Sequence, residues 1–217
     1  MKQAHLYFDF VSPYAWLGLE RAERLVRDGW TFDLRPIVYA KLLDATGLVG
    51  PAETTAKRKL LFFDVARQAA GLGLELTGPP AHPFRSLEAL RTMIVHREHE
   101  RSLSLALALA RAAWVEGRDL TNLETIQAVL AEQGVESGDL AEDIAAPEVK
   151  EALVQETSRA IERGVFGVPT FEWGEELFWG QDRVGDLVAT ASGRLAVDRA
   201  AIEAILARPV GARRSGA

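Results

Sequence analysis

The chain has no cysteine among its 217 residues, which excludes disulfides, thiolate nucleophiles and thiolate metal ligands drawn from its own side chains. Long hydrophobic runs are lacking as well. The most apolar stretch, residues 103–115, is broken by Ser104 and Arg111 and falls short of the roughly 18 residues that suggest a membrane helix. Positive charge is in deficit: 25 Lys and Arg against 31 Asp and Glu give a net charge of −6. That argues against nucleic-acid partners and against docking on anionic membranes, both of which call for a basic face. Histidines number four, His5, His82, His96 and His99. His96 and His99 share a helical spacing, but no carboxylate-rich motif surrounds them, so they read as structural or solvent-facing and no metal is expected. Met1 to His5 run towards acidic Asp9 without the pattern of a cleavable signal peptide, so a cytoplasmic location is expected.

What remains is the balance of a globular protein, 48% hydrophobic and 26% charged, with material for a real core. Residues 4–10 read as a buried strand, Ser12-Pro13 as a helix start, and residues 30–38 as a second strand. The chain therefore opens strand–helix–strand, as a parallel crossover does. Gly47, Gly50 and Pro51 mark a loop, and helices are expected over 57–70, 86–98 and 102–116. Thr121 to Glu124 has capping-box spacing and opens another helix, and Pro147 to Arg163 bounds the clearest one. The end reverts to β, with 168–173 and 176–179 flanking Gly174-Glu175 as a hairpin, then helices from 181 and from 198 to 207. This order predicts an α/β protein: a β-α-β … β-β-α sheet of thioredoxin type, split by a helical insertion. The expected division is a discontinuous domain of residues 1–42 and 160–217 around a helical domain of residues 43–159.

Three places can carry chemistry. Ser12, as an N-cap, faces unpaired N–H groups and the positive end of a helix dipole. It can simply cap the helix, or it can help hold an anion such as a bound thiolate. Val168-Pro169 enters a strand where proline blocks a ladder hydrogen bond. A trans bond makes this an ordinary strand start, whereas a cis bond turns the Val168 backbone towards an extended ligand. Asp182, in Gly180-Gln181-Asp182-Arg183, can cap the next helix or receive an ammonium group, with Arg183 ready for a carboxylate.

Taken together, these segments resemble a known family. The run Tyr7-Phe8-Asp9-Phe10-Val11-Ser12-Pro13-Tyr14-Ala15-Trp16-Leu17 resembles the opening of the 2-hydroxychromene-2-carboxylate isomerases and the related kappa-class glutathione transferases. Ile161 to Phe171 resembles their second signature, and Phe178 to Arg183 their third. The resemblance implies a thioredoxin-like domain of DsbA type in which Ser12-Pro13-Tyr14-Ala15 stands where redox relatives carry Cys-x-x-Cys. It implies glutathione as cofactor, lying along Val168 with Pro169 cis and its sulfur at Ser12. Asp182 and Arg183 then hold the γ-glutamyl end, and Lys57 meets the glycine carboxylate or an acidic group of the substrate. Glu53 stands where relatives often have asparagine, so no catalytic role is carried over to it.

The implied activity is isomerisation of 2-hydroxychromene-2-carboxylate, or a similar aromatic 2-oxo acid, to the trans-benzylidenepyruvate by reversible thiolate addition, a step of aromatic-compound degradation. Kappa-type glutathione transfer or peroxidase activity shares the same site. A non-catalytic thioredoxin-like module that binds peptides at Val168 is the reading from a third class. The expected partners are a small aromatic molecule and glutathione, and the resemblance is compatible with a homodimer.

Overall fold

The computed structural model describes residues 2–136 and 138–211. Strand β1 (Lys2–Phe8) leads into helix α1 (Pro13–Val26), whose start is set by the extended backbone and side-chain cap of Ser12. Strand β2 (Trp30–Pro36) follows and pairs parallel with β1, Leu6 facing Leu34. The helical stretch comprises α2 (Tyr39–Thr46), α3 (Thr55–Gly71), α4 (Leu87–Val95), α5 (Ser102–Trp114), α6 (Leu123–Glu132), α7 (Leu140–Ala145) and α8 (Pro147–Glu162). The chain then returns as β3 (Thr170–Trp173), β4 (Glu176–Trp179), α9 (Val184–Ala191) and α10 (Arg199–Leu206). Strand order is β2-β1-β3-β4, with both β1–β3 and β3–β4 antiparallel. This is the expected β-α-β … β-β-α sheet.

Buried apolar residues from the sheet and from the helical stretch form one contiguous cluster, with Trp16, Trp30, Trp114, Phe8, Phe10 and Phe171 among its largest members. Packing of this kind supplies most of the driving force for folding. Two buried carboxylates tie the layers together. Glu20 of α1 takes two hydrogen bonds from Arg111 of α5, at 2.7 and 2.6 Å, and a third from the Trp16 indole. Glu156 of α8 takes two from Arg35 of β2 and a further contact from Arg97. A buried charge is tolerable when paired in this manner.

Several local expectations need correction. Helix α2 lies between the strand expected to end at residue 38 and the loop marked by Gly47, where no element is expected. No side chain of its own segment caps it; the Tyr39 N–H is met by the carboxylate of Asp9, thirty residues away. Helix α7 is also unanticipated, although Asp139 caps it by accepting from the Glu142 N–H. Asn122, not Thr121, caps α6, because the Thr121 hydroxyl turns back to Asp119. Residues 181–183 form a 3-10 turn ahead of α9, not its first turn.

His96 and His99 have local partners. His96 Nδ1 lies 2.9 Å from the Thr92 carbonyl, and His99 Nδ1 accepts from the Arg101 N–H. Among the described residues no helix is long and apolar enough to cross a membrane.

Candidate thiol-binding site

The turn from β1 to α1 lifts residues 9–12 out of the sheet and ends in Ser12, which is 8% exposed. Its Oγ accepts from the Ala15 N–H at 3.3 Å and donates to the Val168 carbonyl, also at 3.3 Å. Cap and strand start therefore meet, although they lie 156 residues apart. Pro13 has no N–H to offer, and the Tyr14 N–H makes no hydrogen bond to the described residues. A donor of this type at a helix N-terminus favours an anion.

The Val168–Pro169 bond is cis, as is His82–Pro83. The Val168 N–H likewise finds no partner among the described residues. Behind it, Gly18 of α1 leaves just enough room for Pro169, since a Cβ on Gly18 would lie 2.9 Å from both its Cβ and Cγ. Gly167 lies under Trp179, whose indole packs against Phe166 with ring centroids 4.7 Å apart.

Ser12, Val168 and Pro169 open onto a cavity of about 930 Å³. One part of its wall, from Phe166 to Pro169 and Trp179 to Arg183, belongs to the carboxyl-terminal β region. Another part comes from the helical stretch and is mostly apolar: Tyr39, Leu43, Leu61, Phe84 and Leu87. Asp182 and Arg183 stand in the wall half-exposed, paired with each other at 3.2 Å, and Arg183 also reaches Asp186. The structure thus brings Ser12, Val168, Pro169, Asp182 and Arg183 to one cavity. Lys57 is not brought there: it is exposed on α3 and is absent from the lining residues. By helical spacing Lys57 falls on the same stripe of α3 as Leu61, Asp64 and Gln68, but it lies one turn nearer the amino terminus than Leu61, outside the residues that line the cavity.

Other lining residues escaped the sequence reading. Tyr14 donates to Asp64 at 2.8 Å, and burial together with that carboxylate pushes its hydroxyl well above the ordinary tyrosine range. Asp9 is buried, and burial pushes its carboxyl up against the opposing pull of hydrogen bonds from Ser86, Tyr39 and Val11. His82 places Nε2 3.0 Å from the Val11 carbonyl, and burial pushes its ring below the ordinary histidine range. Glu53 is used locally, accepting the Gly50 N–H at 3.0 Å to close the loop before α3.

A DsbA-like thioredoxin domain model matches residues 4–191. A 2-hydroxychromene-2-carboxylate isomerase of Pseudomonas putida is 32% identical over 193 residues, covering 87% of this chain and 93% of its own. The chain belongs to the 2-hydroxychromene-2-carboxylate isomerase family. Membership places it among the isomerases. A solved 2-hydroxychromene-2-carboxylate isomerase superposes on this family member with a TM-score of 0.80 at 29% identity, over 92% of this chain and 98% of the other. The human glutathione S-transferase kappa 1 is 28% identical, over 77% of this chain and 79% of its own. A cytosolic disulfide reductase of Pseudomonas aeruginosa solved with glutathione shares the fold, with a TM-score of 0.60 at 16% identity.

An extended thiol peptide places definite demands on an isomerase-family chain such as this one. Such a peptide needs a free backbone edge, an anion-holding helix terminus for the sulfur, and a charged pair for its α-amino and α-carboxylate groups. The unpartnered N–H of Val168, the cap at Ser12 and the Asp182–Arg183 pair match these needs.

Proposed function

We propose that this protein is a glutathione-dependent isomerase acting on 2-hydroxychromene-2-carboxylate or a similar aromatic 2-oxo acid. The observation that carries the reading is the meeting of the Ser12 cap with the Val168 edge inside a cavity whose other wall is mostly apolar. Glutathione bound there would supply a thiolate that adds reversibly to the substrate's activated double bond, allows rotation, and leaves with no net oxidation or reduction.

The protein's part is to bind, orient and exclude water. The Ser12 proton now rests on the Val168 carbonyl at the long distance of 3.3 Å. Turning that proton to a sulfur would both stabilise the thiolate and free the carbonyl to accept from the ligand's backbone. The Tyr14 N–H and the dipole of α1 add to the same anion-holding effect. Asp182 receives the ligand's ammonium and Arg183 its carboxylate. Leu43, Leu61, Phe84 and Leu87 receive the aromatic portion of the substrate. In this reading residues 1–42 and 160–217 supply the thiol side, and residues 43–159 the substrate side.

Kappa-type glutathione transfer is the second reading, favoured by the likeness to the human kappa enzyme. Isothermal titration of glutathione into the native chain and the Asp182→Ala variant tests the shared thiol site. Loss of one charge-assisted contact, about 1.5–3 kcal/mol, is expected to weaken binding tenfold or more. Turnover of the chromene acid, compared with chlorodinitrobenzene and cumene hydroperoxide, separates isomerase from transferase and peroxidase. Equal isomerisation by Ser12→Ala at saturating glutathione would remove Ser12 from the mechanism. No binding of any low-molecular-weight thiol would leave the binding-module reading.

A further inference from the structure

Asp9 lies three residues before Ser12, is 2% exposed and lines the cavity. Its carboxylate accepts from three directions. Oδ1 takes the Val11 N–H at 3.1 Å and the Ser86 hydroxyl at 2.5 Å, and Oδ2 takes the Tyr39 N–H at 2.9 Å. Those donors belong to the Ser12 turn itself, to the residue preceding α4 and to the first residue of α2. Neither helix carries a side-chain cap of its own. The Asp9 main-chain carbonyl also accepts from the Ser12 N–H at 3.0 Å.

The rest of the turn is held from the helical stretch. His82 donates Nε2–H to the Val11 carbonyl at 3.0 Å, since a carbonyl can only accept, and the Trp114 indole donates to the Phe10 carbonyl at 2.9 Å. The turn that bears Ser12 is thus fixed by residues remote from it in sequence, and Asp9 is where α2, α4 and the turn meet.

We propose that Asp9 is a positioning residue that holds Ser12 at the thiol, with Ser86 as its main side-chain partner. The proposal rests on the glutathione reading above. An ionised carboxylate accepts on both oxygens, whereas an amide accepts on only one. Asparagine at position 9 therefore sets its NH₂ against either the Tyr39 N–H or the Val11 N–H, and one anchor of the turn is lost. A displacement of even an ångström at a catalytic group lowers rate by up to about a hundredfold. The glutathione grips at Val168, Asp182 and Arg183 do not touch Asp9 and are left in place.

The test titrates the ultraviolet thiolate absorbance of bound glutathione against pH in the native protein, Asp9→Asn and Ser86→Ala, alongside kcat and KM for glutathione. If Asp9 positions Ser12, the thiol in Asp9→Asn titrates at higher pH and kcat falls about tenfold to a hundredfold while KM changes little. Ser86→Ala moves in the same direction by less, and carries the test should Asp9→Asn fail to fold. A thiol that titrates at lower pH in Asp9→Asn overturns the proposal, because it shows removal of a nearby negative charge outweighing any positioning. Unchanged titration and kcat with a lowered Tm also overturns it, leaving Asp9 a structural tie. No thiolate band in the native protein defeats the glutathione reading itself, and the proposal with it, an outcome distinct from a normal native band that the variants leave unmoved.

Discussion

Gly18→Ala sets two effects of known size against each other. Alanine is the better helix former by about 1 kcal/mol in a helix interior, and Gly18 lies within α1. The added methyl, however, would lie 2.9 Å from Cβ and Cγ of Pro169 and 3.7 Å from the Phe171 ring. Carbon atoms pack best at roughly 3.5–4.0 Å, so Pro169 must retreat by more than half an ångström. It is a buried ring without rotamers to yield. Overpacking of this kind costs about 1–3 kcal/mol, which leaves a net destabilisation between roughly zero and 2 kcal/mol. For a chain of this size that lowers Tm by at most about 8 °C.

The functional effect is sharper, because Val168 moves with Pro169 and its carbonyl lies 3.3 Å from Ser12. Losing one neutral hydrogen bond to the ligand, about 0.5–1.5 kcal/mol, weakens glutathione twofold to tenfold. Calorimetry and glutathione titration on the same preparation read both quantities. A raised Tm with unchanged glutathione affinity would refute the argument, since it would mean that the clash relaxes away from the site.

Arg111→Met leaves the Glu20 carboxylate, 3% exposed, with only the Trp16 indole as partner among the described residues. Breaking a buried pair costs about 3–5 kcal/mol. Arg111 is itself 45% exposed, so urea unfolding is expected to show a loss near the lower end. A loss below about 1 kcal/mol, typical of a surface pair, would show that water replaces the guanidinium. Glu172 offers a pH test. Burial pushes its carboxyl up, but hydrogen bonds from Tyr7 and Arg163 outweigh this and hold it below the usual carboxylate range. A depressed folded value stabilises the native state above the unfolded value, about 4.3, and that contribution is lost as pH falls through the lower folded value. Glu172→Gln is therefore expected to shrink the stability difference between neutral and strongly acidic solution. An unchanged difference would assign the acid limb to other carboxyls.

Elements whose signals are local were legible in the sequence. Ser12-Pro13 announces α1 by cap and ring, and Gly164 closes the last helix before the β hairpin, because both devices act within one turn. Helix α2 was not legible, since its amino-terminal N–H is satisfied by Asp9 across the fold and Val38-Tyr39 carry strand-like side chains. The same reason hid Asp9 as a meeting point, as its partners Tyr39 and Ser86 have no spacing in common with it. Ser12, Val168, Asp182 and Arg183 could be named as site candidates because short motifs contain them. Lys57 shares the stripe of α3 that carries Leu61, Asp64 and Gln68, and how far along that stripe the cavity extends is set by packing, not by sequence spacing. Tyr14 and Asp64 were invisible as a pair for the same reason, being joined only by tertiary structure.

The pairing of Ser12 with Val168 also bears on how the protein is made. Contacts between distant parts of a chain form late and slowly, since a long loop must close before they bring any return. A ribosome-bound chain that ends before Val168 has the residues of the helix terminus and of the mostly apolar wall, yet no edge on which a thiol peptide can lie. In the proposed reading, ligand binding is thereby coupled to completion of the central sheet through the β1–β3 pairing. A ligand that recognises only the finished sheet stabilises the whole fold by mass action. It is expected to slow amide exchange in β1 and β3 together, and so to guard the molecule as a single cooperative unit.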